Sequence, residues 1–198
     1  TLRANHEKIQ TSDGLLQTSL CEDVYGVAGV QLRTIRERLT RKSEAMIQAV
    51  GVIFQILYAR QKDSRDHFLL DFECCCAGAN DFVRMSEKCE DIIQEIQIEC
   101  QLTAKQQETL DDQAGALLNV YNIDAVYSAQ KTIQYIFADI AREIEADLFT
   151  IEWLDELQDN DLAVTMIATI EDYMGDLQKF LDEVMMQKVM EALVAKSI

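Results

Sequence analysis

The sequence predicts an all-α fold: an elongated antiparallel bundle of long helices, forming part of a stacked helical-bundle rod. Three observations carry this. There is no proline in 198 residues, and there are only seven glycines. An apolar seam with heptad spacing also runs without interruption from Phe68 to Cys100. Proline inside a helix removes a hydrogen bond and clashes with the preceding turn. Its absence therefore leaves long helices unbroken. Hydrophobic residues make up 48% of the chain, enough for a packed core rather than disorder.

The elements follow in order. Residues 1–14 are mostly polar and end in the turn signal Asp13-Gly14, so they read as a linker or as the end of an upstream helix. The helical-bundle segment then spans 15–198. From Leu16 to Tyr58 the pattern is helical and compatible with one long helix. Its expected apolar stripe is Val27, Val30, Ile35 and Leu39, continued by Ile47, Val50, Phe54 and Leu57. Gln61 to Ser64 reads as a connection, with Ser64 or Asp66 able to cap the next helix.

Residues 66–101 give the clearest pattern. Phe68, Phe72, Cys75, Ala79, Phe82, Ser86, Cys89, Ile93, Ile96 and Cys100 step alternately by 4 and 3. Thr103 to Gln106 fits a capping box, followed by a short helix or ordered loop to about Leu118. A further helix is expected at about 123–147, with Val126, Ile133, Ile136, Phe137, Ile140 and Ile144 on one side. Residues 148–154 form an apolar corner. The last helix is expected from about Leu162 to Ile198, with Met166, Ile170, Tyr173, Leu177, Leu181 and Val184 inward. No stop signal follows it, which suits a segment of a longer chain.

Charge is unevenly spread. The chain carries a net −17, with residues 1–65 at +3 and residues 66–198 at −20. That acidic surface repels phosphate, so nucleic acid is excluded as a partner of the C-terminal two thirds. The basic cluster Arg33, Arg36, Arg38, Arg41 and Lys42 is the exception. Two readings of it stand: pairing with the acidic helices of the same chain, or docking to an acidic partner helix or an anionic membrane.

Catalytic and cofactor chemistry find no support. A carboxylate-bridged metal bundle needs Glu-x-x-His on two helices, yet Arg3 precedes His6 and Ser64 precedes His67 at that spacing. Cys74, Cys75 and Cys76 point about 100° apart on a helix, so they cannot converge on one zinc ion. They read as small buried or half-buried thiols. No phosphate-binding glycine loop and no Gly-x-Ser-x-Gly elbow is present. No apolar run reaches membrane-spanning length. Six cysteines without a scaffold-like spacing suit a reducing, cytoplasmic setting. The chain is thus expected to be no enzyme and to hold no cofactor or metal.

The last third resembles a known family. Leu148-Phe149-Thr150, Trp153-Leu154 and Thr169-Ile170-Glu171-Asp172-Tyr173 with Asp176 resemble the Trp-Leu … Thr-x-Glu-Asp-Tyr-x-x-Asp segment of the third exocyst component family. Upstream, Ala79-Asn80 and Phe82 fall where that family has an Ile-x-Asn-(Asn/Asp)-Cys helix. The connection at 101–122 and the cysteine triplet depart from the pattern. The resemblance implies a scaffold subunit segment of a vesicle-tethering complex acting in exocytosis. Its implied partners are other exocyst subunits and SNARE proteins, with membrane association indirect, at plasma-membrane or secretory-vesicle sites. Trp153, Leu154, Thr169, Glu171, Asp172, Tyr173 and Asp176 would be structural there. The alternative, from the residues alone, is a stand-alone acidic helical adaptor or regulatory module.

Overall fold

The structure, a computed structural model, describes residues 8–39, 43–64, 71–144 and 161–197. A short hairpin comes first: β1 (Lys8–Gln10) pairs antiparallel with β2 (Leu16–Thr18), Ile9 standing opposite Gln17. So residues 8–10 are a strand rather than the end of a helix. The Asp13-Gly14 signal does make the turn. Gly14 has φ +96°, a conformation that suits glycine, and its amide donates to the Thr11 carbonyl at 3.0 Å.

Six helices follow: α1 (Leu20–Leu39), α2 (Ser43–Ser64), α3 (Phe72–Glu99), α4 (Ala104–Ile144), α5 (Asp161–Phe180) and α6 (Glu183–Ser197). α3 and α4 form the central antiparallel pair, joined by the short Cys100–Thr103 connection. Arg84 pairs with Glu22, and Arg36 with Glu95 and Glu99, so α1 runs parallel to α3. Gln61 donates to Asp124 at 2.9 Å, and Gly51 lies against Gln113, so α2 runs parallel to α4. α1 and α2 are therefore antiparallel to each other. One straight helix over 16–58 could not meet both neighbours, which is why the single long helix expected there is two. The residues between them, including Thr40, Arg41 and Lys42, lie outside the described residues.

The buried line of α1 also differs from the expected stripe. Cys21, Tyr25, Ala28 and Leu32 face inward, whereas Val27 and Val30 are exposed. Tyr25 wins the inward position because its ring buries more apolar surface than valine and its hydroxyl meets that of Tyr121 at 3.2 Å. On α2, Ile47, Val50, Phe54 and Leu57 are buried as expected.

The α3 seam packs into the core at Cys75, Ala79, Phe82, Cys89, Ile96 and Cys100. Its cap is Asp71, which accepts from the Cys74 amide at 2.7 Å; Ser64 ends α2, and Asp66 lies outside the described residues. The capping box is present: the Thr103 amide donates to Gln106 Oε1 at 3.0 Å, and the Gln106 amide to Thr103 Oγ1 at 3.4 Å. α4 then runs 41 residues without a stop, so the short helix expected before a second one at 123 is its first half. Leu110, Ala114 and Leu117 bury the segment expected as a short helix or ordered loop. The last helix, expected to be continuous, breaks at Leu181-Asp182. Past the break Met185 and Val189 are buried, and Val184 is 56% exposed. Met166, expected inward near the start of α5, is exposed.

Candidate functional site

A polar clasp sits in the middle of α3. Asn80 and Asp81 lie between apolar Ala79 and Phe82, and both are buried. The Asn80 amide donates to the Leu16 carbonyl at 2.6 Å and to the Phe180 carbonyl at 2.7 Å. Its oxygen accepts the Asp182 amide at 3.0 Å. One side chain thus replaces hydrogen bonds lost where α5 ends and α6 begins. Asp182 completes the junction by capping α6, accepting from the Val184 amide at 2.9 Å. This explains a helix break at which the sequence has neither proline nor glycine.

Asp81 faces the other way. Its carboxylate accepts from the Thr18 amide at 3.1 Å and from the Thr18 hydroxyl, and Arg84 Nη1 stands 3.6 Å away. Burial pushes its pKa up to about 6 from 3.8, although the Thr18 hydrogen bonds and Arg84 act to lower it. Asn80 and Asp81 together pin the N-terminal hairpin and the α5–α6 junction to the central helix pair. Outside the Ile-x-Asn-(Asn/Asp)-Cys resemblance, the signal in the sequence was two adjacent polar residues within an apolar seam.

The basic cluster divides. Arg36 is half-buried and paired with Glu95 and Glu99 of α3, the intramolecular arrangement. Arg33 and Arg38 are exposed and have no ion pair among the described residues. Arg33, Arg36 and Lys88 border a cleft of about 300 Å³ between α1 and α3, whose floor includes Tyr25 and Leu32. Arg41 and Lys42 lie outside the described residues.

Of the family-motif residues, Trp153 and Leu154 also lie outside the described residues, with the whole corner 148–154. Tyr173 is half-buried. Its hydroxyl donates to Asp139 Oδ2 at 2.6 Å, and its ring meets Phe72 edge-on at 4.9 Å. Burial, then the bond to Asp139, pushes its pKa up to about 12. The Thr169 hydroxyl donates to the Thr165 carbonyl within α5. Glu171, Asp172 and Asp176 are exposed. Tyr173 thereby ties α5 to α4 and to the start of α3.

All six cysteines are free thiols. Burial pushes the Cys75 and Cys89 thiols up to about 12 and Cys21 to about 11, which leaves them protonated and unreactive. No group of His, Cys, Asp or Glu among the described residues is arranged to hold a metal. No described helix is long and apolar enough to cross a membrane. The arrangement is suited to holding helices in register and presenting their outer faces.

Comparison with known proteins agrees with this geometry. No curated protein matches the sequence. The solved C-terminal domain of the exocyst subunit Sec6p superposes with a TM-score of 0.80 at 14% identity, over 96% of this chain and 53% of that one. The chain thus spans about half the length of that solved structure, and the likeness is one of fold. A model of the exocyst complex component Sec6 family matches residues 6–198. With nearly every residue inside that match, the chain belongs to the Sec6 family of exocyst complex components.

Proposed function

We propose that this chain is a scaffold segment of an exocyst-type vesicle-tethering complex, corresponding to its third component. It acts in exocytosis through contacts with other exocyst subunits and with SNARE proteins. The family match over residues 6–198 carries the reading. The single core running from Leu16 to Val189 supports it, because a rigid helical body transmits position rather than chemistry. On this reading the chain catalyses nothing and works on the cytoplasmic side. It reaches plasma-membrane or vesicle sites through the complex. Trp153, Leu154, Thr169, Glu171, Asp172, Tyr173 and Asp176 have a structural role, and Arg33, Arg38, Arg41 and Lys42 form an ionic contact patch.

Capture of purified exocyst subunits and SNARE proteins by the immobilised chain tests the proposal. Wild-type chain should retain at least one of them; retention of none would sink the scaffold reading. The variant Arg33→Glu, Arg38→Glu, Arg41→Glu leaves the Arg36 pairs intact and should retain less. Undiminished capture would remove the patch from the interface.

A further inference from the structure

The break between α5 and α6 has no breaker of its own. No proline or glycine occurs from Asp176 to Ser197, so the helix stops only because a group outside it takes over its hydrogen bonds. That group is one carboxamide. Asn80 Nδ2 donates to the Phe180 carbonyl, and Asn80 Oδ1 accepts the Asp182 amide. The same nitrogen donates to the Leu16 carbonyl of β2. A carboxamide is planar and turns as one body, so the three bonds are kept or lost together.

Both elements that meet there are weakly held on their own. A two-stranded hairpin is marginal in water, and each strand here is three residues long. α6, with 15 residues, is marginal as an isolated helix. The hairpin is fastened to α3 by the outward groups of β2: the Leu16 carbonyl goes to Asn80 and the Thr18 amide to Asp81. Its turn also lies against the last turn of α5, where a Cβ on Gly14 would stand 3.4 Å from the Lys179 carbonyl oxygen.

We infer that the N-terminal hairpin is a latch on α6: hairpin and α5–α6 junction open and close as one unit, with Asn80 as their shared fastening. Opening frees the start of α6. It bares the α4 surface beneath Met185 and Val189, which are fully buried while α6 is seated. The central α3–α4 pair stays closed, because local opening takes the least buried units first.

The test reads amide hydrogen exchange by NMR in the whole chain. Ile9→Pro acts on the hairpin. The Thr11 amide bonds the Leu15 carbonyl, so the next hydrogen-bonded pair is Ile9 with Gln17, and proline deletes its donor. Ile9 is 44% exposed, so no core packing is lost. The Asp182 amide, which donates to Asn80, and the Met186 amide, which donates to the Asp182 carbonyl, should exchange at least tenfold faster. The Phe54 amide of α2 should exchange as in wild type. Gly14→Ala, strained at φ +96°, replaces Ile9→Pro if that variant fails to fold. Coupling is reciprocal, so Asp182→Ala, which removes the cap of α6, should speed exchange of the Thr18 amide. In an Asn80→Ala background the hairpin substitution should add nothing at Met186. Unchanged exchange at Met186 in the hairpin variant overturns the inference. So does equal acceleration at Phe54, which is global loosening, and so does a coupling that survives Asn80→Ala.

Discussion

Asn80 bonds groups in two other parts of the fold, before α1 and at the α5–α6 junction. Asn80→Ala would remove a buried bond to the Leu16 carbonyl and two half-buried ones, to the Phe180 carbonyl and the Asp182 amide. Unsatisfied buried groups cost about 1–3 kcal/mol each, partly relieved by water. Urea unfolding should therefore show a loss of about 2 kcal/mol, most of it from the buried Leu16 carbonyl. Its neighbour behaves differently. Asp81 has a folded pKa of about 6 against 3.8 unfolded, so between those values the folded chain holds a proton that the unfolded chain has released. Its ionised form therefore costs stability above pH 6, and the cost fades as pH falls through 6 towards 4. Asp81→Asn keeps an acceptor for Thr18 and carries no charge. It should be more stable than wild type by about 1–3 kcal/mol at pH 7.5, with the difference closing near pH 4. A gap that widens on acidification would show the carboxylate to be a net stabiliser. At this scale the sequence was readable where side chains are apolar and regularly spaced, as at Phe82, Cys89 and Ile96. It was not readable at Asn80 and Asp81 themselves, because their partners lie about 60 to 100 residues away.

Helix ends show the same division. The capping box at Thr103 is local and was legible, since its bonds span three residues. The break at Leu181-Asp182 was not, because a residue on α3 supplies its hydrogen bonds. Nor was the choice of inward face on α1, where Tyr25 displaced Val27 to meet a tyrosine on α4. Gly51 shows how two elements approach. It lies inside α2, where glycine costs about 1 kcal/mol relative to alanine. A Cβ there would overlap the Gln113 side chain of α4. Gly51→Ala alone should gain less than that, since the flexible end of Gln113 must move aside. Combined with Gln113→Ala it should recover about 1 kcal/mol from helix propensity. The thermal melts of the four chains in this cycle give the coupling, and strict additivity would mean that Gln113 does not set the helix separation.

For the molecule as a whole, one core cluster runs through all six helices, and the chain carries a net charge of −17. Cohesion comes from apolar faces along the helices, while like charge along the outer faces disfavours a rounder shape. Length follows from α4: 41 helical residues measure about 60 Å. A compact 198-residue domain has a radius of gyration of about 16 Å, hence a diameter of about 42 Å if spherical. The two figures do not agree unless the molecule is elongated along α4. Small-angle scattering should therefore give a maximum dimension above about 60 Å. A value near 45 Å would mean that α4 bends or breaks in solution, and would remove the rigidity on which the scaffold reading depends. Repeating the measurement in 0.5 M salt separates the two sources of length. Screening weakens repulsion between exposed charges and leaves a packed helix unchanged. The dimension should hold if α4 sets it, and should contract if repulsion does.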